Sequence, residues 1–467
     1  LDYAAFKRYW EEHYHPSNCR IYLYGDIDTA RQLSFLDERF LGRFDARPAD
    51  SAIPLQAPFP APRRVEVPYP VAEGADQATS IIVNWLALPV TDGLDALSME
   101  VLAELLLGHD GSPLALALRE SGLGEDLSPQ CGLDTGFRQA LFSAGLRGAR
   151  RGDEERIERL IVGTIADAAA RGFPAEELEA ALHSIAFANR EIRRGSAAYG
   201  YRLFNRAARG WLHGAAPEAT LSFEGSLALL RGALAADPRY LEGLALRLIA
   251  DNPHRSTVTV YPDSGLLERK RRESAAALAA RSASLSEDEL AGIRERARRL
   301  AKAQAEPDPP DAIAHLPKLA LGDLPREVDR VPREAASVCG RPVSAHPIFT
   351  NGIVYLDLAF PADGLDRNAL LLLPLLARFV AGAGARGIGY AEMASRLARN
   401  AGGFSAMLNS ARPAFGEGSR SFAIFRLKAL EEKFPAALDL ALALLGGADF
   451  GDRKRLADVY AELRNDV

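Results

Sequence analysis

The chain has 467 residues, 48% of them hydrophobic and 25% charged, and a formal charge of −6 from 56 basic and 62 acidic side chains. Both signs are mixed along its length, which excludes an electrostatic footprint for nucleic acid or an anionic membrane, and the size allows two or three domains with cores of their own. Cys19, Cys131 and Cys339 are widely spaced and odd in number, so they read as reduced, buried thiols, and no stretch reaches the roughly 18 uninterrupted apolar residues of a membrane span, since Ala369 to Val380 is broken by Pro374 and Arg378.

Leu1 to about Glu12 predicts a helix that closes at His13-Tyr14-His15-Pro16-Ser17-Asn18. It opens with no signal or transit pattern, so the chain reads as a cytoplasmic protein and as a piece of something longer. The β-formers Cys19 to Tyr24 predict a strand, and Thr29 to Leu41 a helix. Prolines 48, 54, 58, 60 and 62 mark residues 48–62 as an extended linker. Strands follow at Val65 to Tyr69 and Ser80 to Leu88, and then a helix from Leu94 to Leu107 that sets Leu94, Leu97, Val101, Leu102 and Leu105 on one face. Ser112 is placed to cap, and Pro113 to open, a short helix over Leu114 to Glu120. Strands at Leu127 to Gly132 and Gln139 to Leu146 precede long helices at Asp153 to Arg171 and Pro174 to Arg193. The rest to Asn252 is helical, and Ser256 to Tyr261 forms a closing strand.

Ser264 to Glu306 is rich in Ala, Arg and Glu and nearly free of aromatics, a composition that favours helix. Ser286 with Glu289 three residues later makes a capping box, so the stretch predicts two helices folded back on each other as a connector between lobes. Leu290, Ile293, Ala297 and Leu300 supply one narrow apolar seam.

Two resemblances within the chain imply tandem copies of one α+β unit. Asn252-Pro253-His254-Arg255 leads into its strand as His15-Pro16-Ser17-Asn18 leads into Cys19 to Tyr24. The strand Ile353 to Phe360, followed by Asp363-Gly364-Leu365-Asp366 and an apolar helix, repeats Ile81 to Leu88 with Asp92-Gly93-Leu94-Asp95, at an offset of 271. The third copy continues through a helix over Tyr390 to Ala398, a strand over Ser421 to Leu427 and two final helices.

His15-Pro16-Ser17-Asn18, Tyr24-Gly25-Asp26-Ile27, Ser112-Pro113-Leu114, Glu120-Ser121-Gly122-Leu123-Gly124, Asn252 to Arg255, Thr350 to Tyr355 and Gly402-Gly403 make the chain resemble the pitrilysin/insulinase-like zinc metallopeptidases, in their presequence-protease branch. That resemblance implies an α+β fold of tandem homologous sandwich domains separated by a helical hairpin. It divides the chain into the tail of a first, catalytic repeat (1–47), a linker (48–62), a complete second repeat (63–263), a hinge (264–306), a second linker (307–330) and the front of a third repeat (331–467). It further implies zinc bound in the parent protein by an H-x-x-E-H helix, in which two histidines hold the metal and the glutamate polarises water.

No such motif is present in residues 1–467, where His109, His183, His213, His254, His315 and His346 are isolated. The ligands are therefore expected N-terminal to this chain, with no catalytic or metal residue inside it. The implied role is chamber wall and hinge of a peptidase acting on short unfolded peptides, monomeric at full length. The alternative is a catalytically inactive scaffold or peptide-binding subunit.

Other polar groupings read as structural. Glu11 and His15 are four apart, but the helix is expected to unwind before Pro16. Gly382 to Gly389 follows a helix instead of a strand and lacks a Lys-Ser/Thr, so it reads as a connection and not a phosphate loop. Ser112, Ser121 and Ser128 have no nucleophile elbow. His254, Arg255 and Asn351 are expected to satisfy turns, and Trp10, Trp85 and Trp211 to lie in cores.

Overall fold

The structure is a computed structural model and describes residues 2–72, 79–192, 198–324, 326–327, 330–413 and 417–465. The chain divides into two compact units, one of Leu1–Val67, Gln77–Tyr261 and Thr350–Val467, the other of Pro68–Asp76 and Pro262–Phe349.

The larger unit starts with α1 (Tyr3–His13) and α2 (Thr29–Arg39), capped by Asp2 and Asp28. No described residue up to Ala46 is buried, and Trp10 is exposed, against the expectation of a core tryptophan. The expected strand at Cys19 to Tyr24 does not form. Its backbone finds no partner strand among the described residues, and its aromatics pack elsewhere, Tyr22 on Phe204 with ring centroids 5.4 Å apart and Tyr24 near Tyr199 at 6.4 Å.

A first sheet comprises β1 (Arg63–Pro70), β2 (Thr79–Pro89), β3 (Asp126–Leu127), β4 (Gly132–Asp134), β5 (Gln139–Ala149) and β6 (Arg255–Asp263), in the order β1-β6-β2-β5-β3, with β4 also on β5. Where one strand was expected over Leu127 to Gly132, the edge is split into β3 and β4 around the turn at Ser128–Cys131. Alternation along β2 sends Ile81, Val83 and Trp85 into the core with Phe142 and Leu146 of β5. That face is covered by α3 (Gly93–Leu107), α4 (Pro113–Glu120), α5 (Glu154–Arg171), α6 (Ala175–Arg190), α8 (Phe223–Ala236) and α9 (Tyr240–Ala245), which runs on into a π turn at Leu246–Ala250. The end predicted for α6, Arg193, lies outside the described residues. The remaining helix, α7 (Tyr199–Trp211), carries half-buried Trp211.

The second sheet is smaller. Strands β9 (Ile353–Pro361), β10 (Gly403–Ala411) and β11 (Arg420–Leu430) pair antiparallel in the order β10-β11-β9. Beneath lie α13 (Arg367–Gly382), α14 (Tyr390–Asn400), α15 (Phe434–Gly447) and α16 (Arg453–Asn465), with Ala377, Val380, Met393, Phe425 and Leu444 in the core. This α+β layout repeats that of the first sheet. The shared tetrapeptide is nonetheless used differently. Asp92, its first residue, caps α3, whereas in the other copy the fourth, Asp366, caps α13 and Asp363 accepts the Ser421 N–H at 2.6 Å.

The smaller unit holds α10 (Leu266–Ala283), α11 (Glu287–Ala305), α12 (Pro310–Ala314) and a β-hairpin of β7 (Glu334–Val338) and β8 (Arg341–Ala345). The Ser286/Glu289 capping box is present at the start of α11. The two helices, however, do not run packed along each other, and α11 buries none of its residues, with Leu300 59% exposed. Four apolar positions flanked by Arg and Glu cannot offset the desolvation of a long charged helix pair. Residues 331–349, placed by sequence in the third repeat, cluster with these helices; the larger unit resumes at Thr350.

Candidate functional site

The densest polar apparatus of the larger unit lies where the two mixed layers meet. Helix α6 of the first packs on α14 of the second. Acidic residues fall in the first turn of α6, where they complement its dipole, and two of them, Glu176 and Glu177, reach across. Glu177 Oε1 accepts the Ser395 hydroxyl at 2.5 Å, and Glu176 pairs with Arg399. His109 joins this group. Its Nδ1 accepts the Gly111 N–H at 3.1 Å, so the proton sits on Nε2, which donates to Glu177 Oε2 at 3.3 Å. Glycine is required at 111, because a Cβ there would stand 2.3 Å from the Ala391 carbonyl oxygen.

Past the C-terminus of α6 the chain turns Glu191 inward, where it is 2% exposed. Lys428 Nζ donates to it at 2.8 Å and the Tyr355 hydroxyl at 3.3 Å, from adjacent, cross-strand paired positions of β11 and β9. Beside it Phe187 inserts between Ile353 and Leu430, and a Cβ on Gly402 would stand 2.1 Å from its ring. Asn351, at φ +57°, donates to the Arg190 carbonyl at 3.1 Å, so it joins the layers as well as holding a turn.

A third cluster alternates charges. Arg455, 3% exposed, donates to Asp110 at 2.7 Å, to Glu462 at 3.2 Å and to the Gly382 carbonyl at 3.0 Å, and its guanidinium lies over the Tyr390 ring. Arg119 closes the ring through Asp110 at 3.0 Å and through Glu462. Burial opposes the charged form of Arg119, but the carboxylates of Asp110 and Glu462 outweigh it and raise its pKa. Two cations and two anions thus neutralise one another, the condition under which charges survive burial.

A cleft of about 390 Å³ opens beside the seam, lined by Glu176, Glu179, Arg399, Asn400 and Lys433. Near it, His183 has a pKa lowered by burial and by Lys433.

The groupings singled out from sequence fall elsewhere. Helix α1 ends at His13, and His15 Nδ1 accepts the Ser17 N–H at 3.2 Å while Glu11 faces Lys7 at 3.6 Å, so Glu11 and His15 share nothing. Gly382 to Gly389 is a tight turn with Ala383 and Ala385 buried, its Gly382 carbonyl occupied by Arg455. Ser112 does not cap α4 but accepts the His109 N–H at 3.2 Å, and Ser121 donates to the Leu118 carbonyl at 2.7 Å. Ser128 donates to Gln130 at 2.7 Å. His254 Nδ1 accepts the Phe59 N–H at 3.0 Å, and Arg255 pairs with Glu158 at 2.9 Å. Cys19 and Cys339 are exposed, not buried; the Cys131 thiol is pushed up to about 11 by burial and is inert near neutrality. Among the described residues, no group of three or more His, Cys, Asp or Glu side chains stands close enough to hold a metal ion.

The seam residues carry no motif. Glu191, Lys428 and Tyr355 are ordinary surface letters until a second layer covers them, and only the acidic first turn of α6 was visible beforehand.

Fold and seam together define a tandem α+β repeat chain whose polar groups are spent on joining its repeats. Residues 1–185 match the family described as Peptidase M16 inactive domain, and residues 260–467 match a second family, described as associated with the group C peptidases of M16. The chain is 30% identical over 471 residues to presequence protease 1, chloroplastic/mitochondrial, of Arabidopsis thaliana, covering 99% of this chain and 43% of that protein. It is 27% identical to protein HypA of Clostridium perfringens (99% and 48%) and 28% identical to the mitochondrial presequence protease of Danio rerio (87% and 39%). It therefore spans less than half the length of these relatives. The chain belongs to the M16 peptidases, the pitrilysin/insulinase-like family, with presequence proteases among its relatives.

Proposed function

We propose that this chain forms chamber wall and hinge in a zinc metallopeptidase that degrades short unfolded peptides, and takes no part in bond cleavage itself. The observation that carries this is the match of residues 1–185 to the inactive domain of the family, in a chain whose buried charges are paired with one another across a seam. The residues present do not fit a zinc site: His15 and His254 have Nδ1 taken by backbone N–H groups, and both ring nitrogens of His109 are engaged. Zinc would enter through residues outside 1–467, where it would polarise the attacking water.

The test is hydrolysis of a panel of unfolded peptides by the full-length protein, followed by mass spectrometry with and without a chelator. Cleavage abolished by the chelator and restored by zinc supports the proposal. Peptide binding without cleavage would replace it with the scaffold reading.

A further inference from the structure

The two sheets differ most at corresponding edges. Beyond β5 the edge is broken into strands of two and three residues, carries Asp126 and Asp134, and turns through Gly132 at φ +123°. Beyond β11, β10 runs for nine unbroken residues, GFSAMLNSA, with no charge and no proline. It pairs with β11 residue by residue, from Gly403 with Lys428 to Ala411 with Arg420, and with no other strand among the described residues. Met407 is 42% exposed, and Leu408 to Ala411 are exposed as well. Soluble proteins shorten, charge or proline-block a free edge, because its unpaired N–H and C=O groups template another strand. The opposite edge, β9, carries Asp357 and ends in Pro361. Strand β10 has none of these guards.

Helix α13, which packs on β10, adds an apolar flank. Leu372 and Leu376 lie one turn apart and are exposed, with Leu371 beside them at 70%. A row of backbone donors and acceptors is satisfied by an extended backbone, and an uncharged edge beside exposed leucines favours apolar side chains at alternate positions. We propose that β10 is a strand-addition site for an unfolded peptide of that pattern. The choice of a peptide over a second copy of this chain rests on the function proposed above.

The test uses the 467-residue chain and a fluorescein-labelled peptide of about ten residues, alternating leucine and threonine, long enough to pair along a whole strand. Anisotropy is compared with that of the same peptide N-methylated at alternate amides. Saturable binding is expected for the first peptide and none for the second. The double variant Met407→Lys, Asn409→Lys charges the edge at exposed positions; binding weakens by at least about tenfold while the melting temperature holds. Equal binding of the N-methylated peptide, or undiminished binding by the variant, overturns the edge site and leaves the peptidase reading intact. Self-association of the chain that the variant abolishes and the peptide does not compete with assigns β10 to a second copy, which also overturns it. Absence of all peptide binding overturns the edge site and the chamber-wall role together.

Discussion

Helices α3 and α13 hold corresponding places in the two copies and are treated in opposite ways. Nine residues of α3 are buried, enclosed by α4, α6, α8 and α9 as well as by the sheet, whereas α13 buries only Ala377, Phe379 and Val380 and leaves Leu370, Leu371, Leu372 and Leu376 exposed. The sheets follow suit, one with a broken, charged edge and the other with a long, neutral one. A repeated pattern of residues thus sets the layout of each copy, but burial is decided by the elements packed around it. The first copy is sealed; the second presents apolar surface.

The largest effect that would break this contrast is a pair of leucine truncations. Leu102→Ala in α3 should cost about 2–5 kcal/mol in a denaturant titration, because the buried side chain leaves a cavity, while Leu372→Ala in α13 should stay within about 0.5 kcal/mol. Equal losses would show that α13 is covered in solution.

The seam comes next. Lys428→Met removes the ammonium that faces buried Glu191 and should cost about 3 kcal/mol, whereas the double variant with Glu191→Gln should recover part of that loss. Additive losses in the double-mutant cycle would mean that the pair does not couple the layers. Gly402→Ala forces a methyl against the Phe187 ring and should cost about 1–3 kcal/mol, partly relieved by Phe187→Leu.

A smaller effect is the acid response. Burial lowers the pKa of His254, with Arg63 adding to it, and that of His183. The unfolded chain therefore binds protons that the folded chain refuses once the pH falls below about 6.5. Their contribution is fully present above that pH and declines as the pH falls toward the folded-state values. Melting temperatures at pH 7.5 and 5.5 should fall in that order, and His254→Gln should flatten part of the slope.

Much of this was legible in the sequence because period and punctuation carry it. The apolar spacing over Leu94 to Leu105, the Ser286/Glu289 box and the order of elements after Ile81 and Ile353 each report local physics that the fold respects. What failed needed tertiary information. Cys19 to Tyr24 has strand composition, but a strand exists only with a neighbour to pair with. Ser112 had two backbone groups within reach and bonded the His109 N–H instead of capping its own helix. The functional seam was invisible because Glu191, Lys428 and Arg455 lie far apart in sequence and acquire meaning only when α6, β11 and α16 converge.

The central claim, that this chain belongs to a peptidase yet performs no cleavage, is tested most directly by incubating the purified 467-residue chain with zinc and an unfolded peptide and measuring bound metal and hydrolysis together. The account predicts less than stoichiometric zinc and no chelator-sensitive cleavage. One zinc ion held per chain, with proteolysis that a chelator stops, would contradict it.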